Sequence, residues 1–223
     1  MVQVAISDAF DDTEFHPADK VLLLKYDGRY QALGSFCGFC YANLGQGACL
    51  GEKLACAGCG SNYDVSSGLP DQGPNMRNLS TFSCRVRNGK VEVTVPEHIP
   101  AFSKKKFVKR EALDPRTIVV LGDNETALAV IDSLRTSFTG RIVCVPCNGA
   151  KGAFENLDIM KRYMGPLTKN QCFLVEDDYL DRANVDVIKG EVKSIDVPGK
   201  KMSIKGLRNQ LDFDKVIVAW GAE

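Results

Sequence analysis

The chain has 223 residues, and its 28 basic side chains balance 28 acidic ones. With a formal net charge of zero there is no overall field for nucleic acid or for an anionic membrane surface, so nucleic acid is not expected as a partner. No stretch approaches the ~20 apolar residues that a membrane-spanning helix needs, which predicts no direct membrane span. The length suits two compact domains of roughly 100 residues each.

The first part of the chain, 1–102, is predicted to form an all-β domain. Short apolar runs alternate with turn residues, and two hairpins are expected because each has an Asp-Gly or Asn-Gly turn. The first joins 21–26 to 30–33 through Asp27-Gly28, and the second joins 81–86 to 91–95 through Asn88-Gly89. Residues 103–115 are basic, have little apolar periodicity and end at Pro115, so they are predicted to be a linker.

Residues 116–223 have a different pattern. A buried strand at 118–121, a turn at Gly122, a helix with apolar helical periodicity at 127–134 and a second strand at 141–145 predict a βαβ unit. Asp123 or Asn124 is expected to cap the helix. Further strands are expected at 185–188, 192–197, 202–204 and 216–219. The predicted class is α+β overall, with an α/β domain in the second half.

Four of the nine cysteines form two C-x-x-C pairs separated by fifteen residues. The odd cysteine count and the paired spacing indicate metal chemistry in a reducing compartment rather than a disulfide framework. The predicted ligands are Cys37, Cys40, Cys56 and Cys59. Each pair can direct two sulfurs at one point, and neighbouring glycines let backbone amides turn towards sulfur. The group is predicted to bind Zn²⁺ or a [2Fe-2S] cluster. The alternative is that these cysteines are buried as small apolar side chains.

The cysteine region also resembles a known family, the Rieske domain. The matching runs are Cys37-Gly-Phe-Cys40, Cys56-Ala-Gly-Cys-Gly60 and Tyr63-Asp-Val-Ser-Ser-Gly68. That family has the pattern C-x-H, about sixteen residues, C-x-x-H-G, an aromatic residue and S-x-G, and it holds one iron with two cysteines and the other with two histidines. The resemblance implies that Cys37 and Cys56 keep the cysteine positions. Phe39 and Cys59 stand where the histidines belong, and Cys40 is the implied replacement ligand.

Exchanging two neutral imidazoles for two thiolates adds negative charge to such a site. A two-iron cluster held in this way would have a potential nearer that of plant-type ferredoxins, roughly −400 mV. A single zinc ion is favoured over the cluster because two C-x-x-C pairs fit one tetrahedral ion without a change in the loops.

The second half is similar to the flavin-binding domain of pyridine-nucleotide disulfide oxidoreductases, through Ile118-Val-Val-Leu-Gly122 and Asp214-Lys-Val-Ile-Val-Ala-Trp-Gly221. This resemblance implies a Rossmann-like fold for 116–223, incomplete because the chain ends just after the second run. Together the halves resemble the apoptosis-inducing-factor-like family, which joins a Rieske domain to such a reductase. That family implies a mitochondrial location, although the acidic start of the chain contains no visible transit peptide.

A flavin domain of this kind binds its dinucleotide through the fingerprint G-x-G-x-x-G/A, whose first and third positions are matched by Gly122 and Ala127. Asn124 occupies the second position, where a side chain obstructs the pyrophosphate, and Glu125 adds negative charge. Gly122, Asn124 and Ala127 are therefore predicted to be a degenerate dinucleotide loop, and FAD is not expected. Nearby, Cys144-Val-Pro-Cys147 is a third C-x-x-C pair, for which burial in a strand is favoured over a redox role.

No Ser/His/Asp set or carboxylate pair can be argued from the sequence, so no catalytic residues are predicted, and an enzyme here would be an oxidoreductase. The first hypothesis is a degenerate, non-catalytic metal-binding protein, an accessory subunit of a larger mitochondrial assembly with other protein subunits as partners. The alternative is a low-potential electron-transfer protein with an all-cysteine [2Fe-2S] cluster.

Overall fold

The computed structural model describes residues 2–7, 13–15, 21–98, 100, 102–146, 175 and 178–220, with the first two ranges known by their backbone alone. The chain divides into two compact units, Met1–Lys105 (unit 1) and Lys106–Glu223 (unit 2). Most of the described regular structure is β. Among the described residues, no helix has the length and apolar character needed to cross a membrane.

Unit 1 contains strands and one 3₁₀ turn, Leu44–Gln46, among its described residues, which confirms the all-β prediction for them. Its strands are β1 (Val2–Ser7), β2 (Thr13–Phe15), β3 (Val21–Tyr26), β4 (Arg29–Gly34), β5 (Ala48–Leu50), β6 (Lys53–Ala55), β7 (Asn62–Asp64), β8 (Pro70–Gln72), β9 (Asn78–Leu79), β10 (Thr81–Arg87), β11 (Lys90–Val95) and β12 (Phe102–Ser103). The two- and three-residue strands are too short to leave an alternating pattern in the sequence.

Both predicted hairpins are confirmed, β3 with β4 and β10 with β11. In each, both turn residues have the positive φ that a type I′ turn requires, with 47° and 71° at Asp27-Gly28 and 53° and 71° at Asn88-Gly89. The hairpins belong to one antiparallel sheet of order β1-β11-β10-β4-β3-β2. Its buried cluster consists of Leu23, Ala32, Val91, Val93 and Val95.

A second antiparallel sheet, β5-β6-β7-β8, carries one of the two cysteine pairs. Cys56 and Cys59 lie in the loop between β6 and β7, whereas the other pair follows the end of β4 in the first sheet. The register of β6 and β7 is set beside this loop by the facing pair Leu54 and Tyr63, both of which are buried. Two loops that leave different sheets therefore supply the candidate ligands.

In unit 2 the predicted βαβ unit is confirmed. β13 (Thr117–Leu121) and β14 (Arg141–Val145) pair in parallel, and α1 (Glu125–Leu134) connects them. The remaining elements are α2 (Tyr179–Arg182), β15 (Val185–Val187), β16 (Val192–Asp196), β17 (Lys201–Ile204), β18 (Leu211–Asp212) and β19 (Lys215–Val218).

Unit 2 is layered around its parallel sheet, whose order is β15-β14-β13-β19. The antiparallel sheet β16-β17-β18 packs against one face of it. The apolar residues between the two sheets are Val119, Leu121, Val143, Val145, Met202, Ile204, Leu211 and Phe213. Helix α1 contacts β13 and buries Ala127, Leu128 and Ile131. The carboxyl ends of β13 and β19 lie beside the start of α1, where the degenerate loop is predicted.

The segment predicted to be a linker, 103–115, makes specific contacts in each unit. Ser103 pairs with Asn78 in the ladder of β9 and β12. Within unit 2 the Phe107 ring lies edge-on to Tyr179, with 5.1 Å between ring centres, and the Val108 amide donates to a carbonyl at the end of α1 (3.0 Å). The division between the units, at Lys105 and Lys106, falls inside this segment.

Arg135, at the end of α1, is fully buried. Its guanidinium donates to four backbone carbonyls, those of Phe138, Gly140, Ala183 and Asn184. These carbonyls belong to the turn after α1 and to the turn after α2. The side chain therefore joins two segments that are distant in sequence and satisfies acceptors that burial would otherwise leave unpaired.

We predict that Arg135→Met destabilises unit 2 by roughly 3 kcal/mol or more, because several buried carbonyls lose their donors at once. The measurement is denaturant unfolding followed by the fluorescence of Trp220, the single tryptophan of the chain, which lies in unit 2. Lys193→Met, which removes an exposed cation of the same unit, is the control and should leave the midpoint unchanged. Equal midpoints for the two variants would contradict the role assigned to Arg135.

Candidate metal centre

The first cysteine pair lies in a tight loop, 37–42, which we call the first knuckle. The amide of Cys37 donates to the carbonyl of Ala42 (2.9 Å), and the amide of Tyr41 donates back to the carbonyl of Cys37 (3.1 Å). Tyr41 has a φ of 56°, which is the left-handed conformation. These two hydrogen bonds close the loop and bring both cysteine side chains to the same side of it.

The second pair lies in an equivalent loop, 56–61, the second knuckle. The amide of Cys56 donates to Ser61 O (2.8 Å), and the amide of Gly60 donates to Cys56 O (2.9 Å). Gly60 has a φ of 72°, so the residue after the second cysteine is left-handed in both knuckles. Two loops of the same design, from different sheets, therefore present two thiols each.

The four predicted ligands converge. All four Sγ atoms of Cys37, Cys40, Cys56 and Cys59 lie within 4.8 Å of one another, and only the side chain of Cys59 is partly exposed. Two of the distances join the knuckles, with 3.6 Å between the Cys37 and Cys59 sulfurs and 3.5 Å between those of Cys40 and Cys56. The alternative of four unrelated buried cysteines does not account for this convergence.

The donor set fits a metal. Bonds of about 2.3 Å to one tetrahedral zinc would put the sulfurs about 3.8 Å apart, close to the distances between the knuckles. A [2Fe-2S] cluster also accepts four thiolates, but it divides them between two irons, so the two sulfur pairs stand further apart than the edge of one tetrahedron. The four cysteines are thus the residues that would hold either group.

The electrostatics of the four thiols also favour a cation. Hydrogen bonds from Cys40, Cys56 and Cys59 lower the pKa of Cys37 well below its usual range. Hydrogen bonding to Cys37 in turn raises the pKa of Cys40 and of Cys56, and burial adds to the effect. The hydrogen bond with Cys37 raises the pKa of Cys59, but those with Cys40 and Cys56 outweigh it and lower that pKa to about 6. Some thiolates therefore form at the expense of their neighbours, and all four can be ionised together in this buried space only when a metal offsets their charge.

Groups outside the knuckles contact the sulfurs as well. Tyr63 is fully buried in β7, and its hydroxyl lies 3.4 Å from Cys37 Sγ while it accepts a hydrogen bond from the amide of Gly38 (2.6 Å). Burial, together with the charge on Cys37, raises the pKa of Tyr63, so the phenol keeps its proton and can donate it to sulfur. Ser61 Oγ lies 3.1 Å from the sulfur of Cys59.

Two knuckle glycines lie in tight surroundings, and neither has a positive φ. A Cβ at Gly38 would lie 2.8 Å from Arg77 Cβ, and a Cβ at Gly58 would lie 3.1 Å from Cys40 Sγ. The sequence-based expectation that glycine lets the backbone turn applies instead to Gly60, which has the positive φ.

Phe39 and Cys49 lie close to the cysteine pairs in sequence, but neither belongs to the sulfur cluster. Phe39, which stands where a Rieske histidine belongs, is half-buried, and its amide lies 3.5 Å from Cys37 Sγ. Cys49 is in β5, where its thiol donates to the carbonyl of Gly51 (3.5 Å). It is not among the four clustered sulfurs.

The predicted dinucleotide loop is also brought together, at the start of α1. Asn124 caps the helix as predicted, with its side-chain oxygen accepting from the amide of Ala127 (3.0 Å). That amide is one of the donors that a bound phosphate would use. A Cβ at Gly122 would lie 2.2 Å from the carbonyl oxygen of Ala219, just after β19. The packing of unit 2 alone therefore explains why Gly122 is a glycine and what Asn124 does.

The third C-x-x-C pair is described only in part. Cys144 is fully buried in β14, as predicted for a strand residue, and its thiol donates to the carbonyl of Gly122 (3.4 Å). Its partner in the motif, Cys147, lies outside the described residues.

Among known proteins, no protein-family profile matches the chain. The chain is similar to apoptosis-inducing factor 3 of Mus musculus, with 23% identity over 219 residues that make up 91% of this chain and 34% of the relative. It is also similar to apoptosis-inducing factor 3 of Homo sapiens, with 24% identity over 220 residues that make up 91% of this chain and 34% of the relative. The chain therefore spans about a third of the length of the curated relatives it matches. This similarity, together with the paired cysteine loops, supports a Rieske-like domain.

Several solved structures have partial similarity to the chain. The complex of reduced oxygenase and oxidized ferredoxin in carbazole 1,9a-dioxygenase matches 42% of this chain and 100% of that chain, at 19% identity and a TM-score of 0.38. The Sphingomonas yanoikuyae B1 ferredoxin matches 43% of this chain and 98% of its own, at 18% identity and a TM-score of 0.39. The covalent putidaredoxin reductase-putidaredoxin complex matches 48% of this chain and 26% of that chain, at 21% identity and a TM-score of 0.42.

The packing at Gly122 yields a prediction. Gly122→Ala should destabilise unit 2 by roughly 1–3 kcal/mol more than Gly206→Ala, because both have a positive φ but only Gly122 would drive a Cβ into backbone. The Cβ position at Gly206 has no heavy atom within 4 Å, which makes it the matched control. Unfolding is again followed by Trp220 fluorescence. Two equally destabilised variants would mean that packing does not explain the glycine.

Proposed function

We propose that this chain is a non-catalytic accessory subunit whose unit 1 is stabilised by one zinc ion bound to Cys37, Cys40, Cys56 and Cys59. The observation that carries the proposal is the convergence of the four sulfurs to within 4.8 Å of one another. Zinc has no redox chemistry, and a closed site with four protein ligands leaves no position for a substrate. The metal would therefore act as a structural cross-link.

The size of the sulfur cluster supports one metal ion rather than two. Each short distance, 3.6 Å and 3.5 Å, joins a cysteine of one knuckle to a cysteine of the other. One ion at the centre would contact all four sulfurs without movement of either knuckle. A two-iron cluster would require two of the sulfurs to move away from the other two.

The location of the knuckles supports a stabilising role. They leave two different sheets of unit 1, and neither loop has regular structure beyond its two closing hydrogen bonds. A metal that ties the loops together fixes the two sheets to each other. In small metal sites the free energy of metal binding contributes directly to folding.

Two features support the absence of catalysis. The resemblance to the Rieske domain lacks both histidines, since Phe39 and Cys59 stand in their places. Asn124 uses the helix-start amide that a dinucleotide phosphate would need. We therefore propose a degenerate Rossmann-like domain in unit 2, partner subunits of a larger assembly and, from the family resemblance, a mitochondrial location.

A second candidate function is electron transfer by an all-cysteine [2Fe-2S] cluster. It is supported by the similarity that favours a Rieske-like domain and by the match in spacing between the two cysteine loops. Four thiolates are an established ligand set for such clusters. Protein of this kind would be brown when purified without oxygen and would give a paramagnetic signal on reduction.

We predict that protein purified without oxygen contains one zinc per chain, has no visible absorption and carries no flavin. Cys56→Ser should lose the zinc, whereas Cys49→Ser should retain it, because Cys49 lies between the pairs in sequence but outside the clustered sulfurs. Elemental analysis and an absorption spectrum provide the readout. Brown protein with two irons per chain would favour the second candidate, and stoichiometric flavin would contradict the non-catalytic proposal.

A further inference from the structure

We propose that Arg77, held between the rings of Tyr41 and Phe102, is a positioning residue for the metal centre. This arginine–aromatic clamp holds the first knuckle in shape. The inference rests on the proposed zinc site and deepens it. Arg77 is only 5% exposed, which is unusual for a charged side chain and requires an explanation.

The side chain of Arg77 follows the first knuckle. At one end, its Cβ would lie 2.8 Å from a Cβ added at Gly38, so this part of Arg77 packs against the residue after Cys37. At the other end, a guanidinium nitrogen donates to the hydroxyl of Tyr41, the residue after Cys40. Arg77 therefore spans the loop that carries two of the four ligands.

The guanidinium is also enclosed by aromatic rings. Its central carbon lies 5.3 Å from the ring centre of Tyr41 and 5.2 Å from that of Phe102, and the two rings meet edge to face at 5.7 Å. Phe102 belongs to β12, where it pairs with Leu79 of β9. The clamp thus connects the first knuckle to a ladder formed by the end of unit 1. Arginine over an aromatic face is attracted by the ring quadrupole, more strongly when water is excluded.

The backbone of Tyr41 supplies independent support. Its φ of 56° is unfavourable for a bulky side chain, and the second knuckle has glycine, Gly60, at the equivalent position with a φ of 72°. Glycine would close the first knuckle with less strain. A tyrosine in this conformation is therefore explained by what its side chain contacts, namely Arg77 and Phe102.

The two contacts of Arg77 with the first knuckle, at Gly38 and at Tyr41, each lie one residue after a predicted ligand. The clamp is therefore placed to hold Cys37 and Cys40 in position. Removing the clamp should make the zinc easier to extract, because groups behind the ligands typically change metal affinity by about 10- to 100-fold.

The test is the rate at which purified zinc-loaded protein releases zinc to excess EDTA, read with a colorimetric zinc indicator. Arg77→Met should release zinc about tenfold or more faster than the wild type. Arg77→Lys, which keeps the charge without the planar stack, should fall between the two. Arg182→Met is the matched control, because Arg182 lies over two aromatic rings of unit 2, those of Phe107 (5.9 Å) and Tyr179 (6.0 Å). Its release rate should equal that of the wild type.

Tyr41→Gly keeps the test valid even if Arg77→Met does not fold. This variant places at position 41 the glycine that the second knuckle has at position 60. If Tyr41 acted only within its own loop, the release of zinc would be unchanged or slower. The clamp predicts faster release, about tenfold, despite the relief of strain. If Tyr41→Gly and Arg77→Met both bind zinc and release it at the wild-type rate, the clamp is wrong while the proposed zinc site stands. A wild-type protein without zinc would overturn the proposed function and the inference with it.

Discussion

The convergence of four sulfur atoms in the buried part of unit 1 is the constraint on which the rest of this region depends. Thiols this close cannot all ionise, as the opposed pKa changes of Cys37 and Cys40 indicate, and four neutral thiols would not need knuckles of such uniform design. A bound metal cation would offset the charge of all four thiolates at once. A Cβ at Gly58 would lie only 3.1 Å from the sulfur of Cys40, so glycine leaves that sulfur the most room.

The two knuckles are alike in their backbone hydrogen bonds and differ in what surrounds them. The second has the small hydroxyl of Ser61 beside a ligand sulfur and contains Gly60, which adopts its left-handed conformation without strain. The first is enclosed by Tyr63, Arg77 and a strained Tyr41, all of which place bulky side chains against it.

The sequence predicted correctly those features of the fold that neighbouring residues determine. Asp27-Gly28 and Asn88-Gly89 specify their hairpins because two consecutive residues with positive φ leave few alternatives, and Asn124 is recognisable as a cap from its position before an apolar helix. The spacing of the C-x-x-C pairs identified all four sulfurs that the structure brings together. The short strands around them could not be predicted, since three residues show no periodicity.

The residues that support the site were missed because their contacts are distant in sequence. Tyr63 entered the sequence argument only as an aromatic position in a family pattern, and its contact with the Gly38 amide spans 25 residues. No residue near Arg77 in the sequence indicates its role, because its hydrogen-bond partner Tyr41 is 36 residues away. In unit 2 the glycine of the expected dinucleotide loop is explained by a neighbour, Ala219, that only the sheet order brings close.

The most direct test of one metal ion held by four thiolates is X-ray absorption at the zinc and iron edges of protein purified without oxygen. The account predicts a zinc edge with four sulfur neighbours at about 2.3 Å and no metal neighbour beyond them. An iron edge with a second iron close to the first would contradict it, and would assign the four cysteines to electron transfer instead.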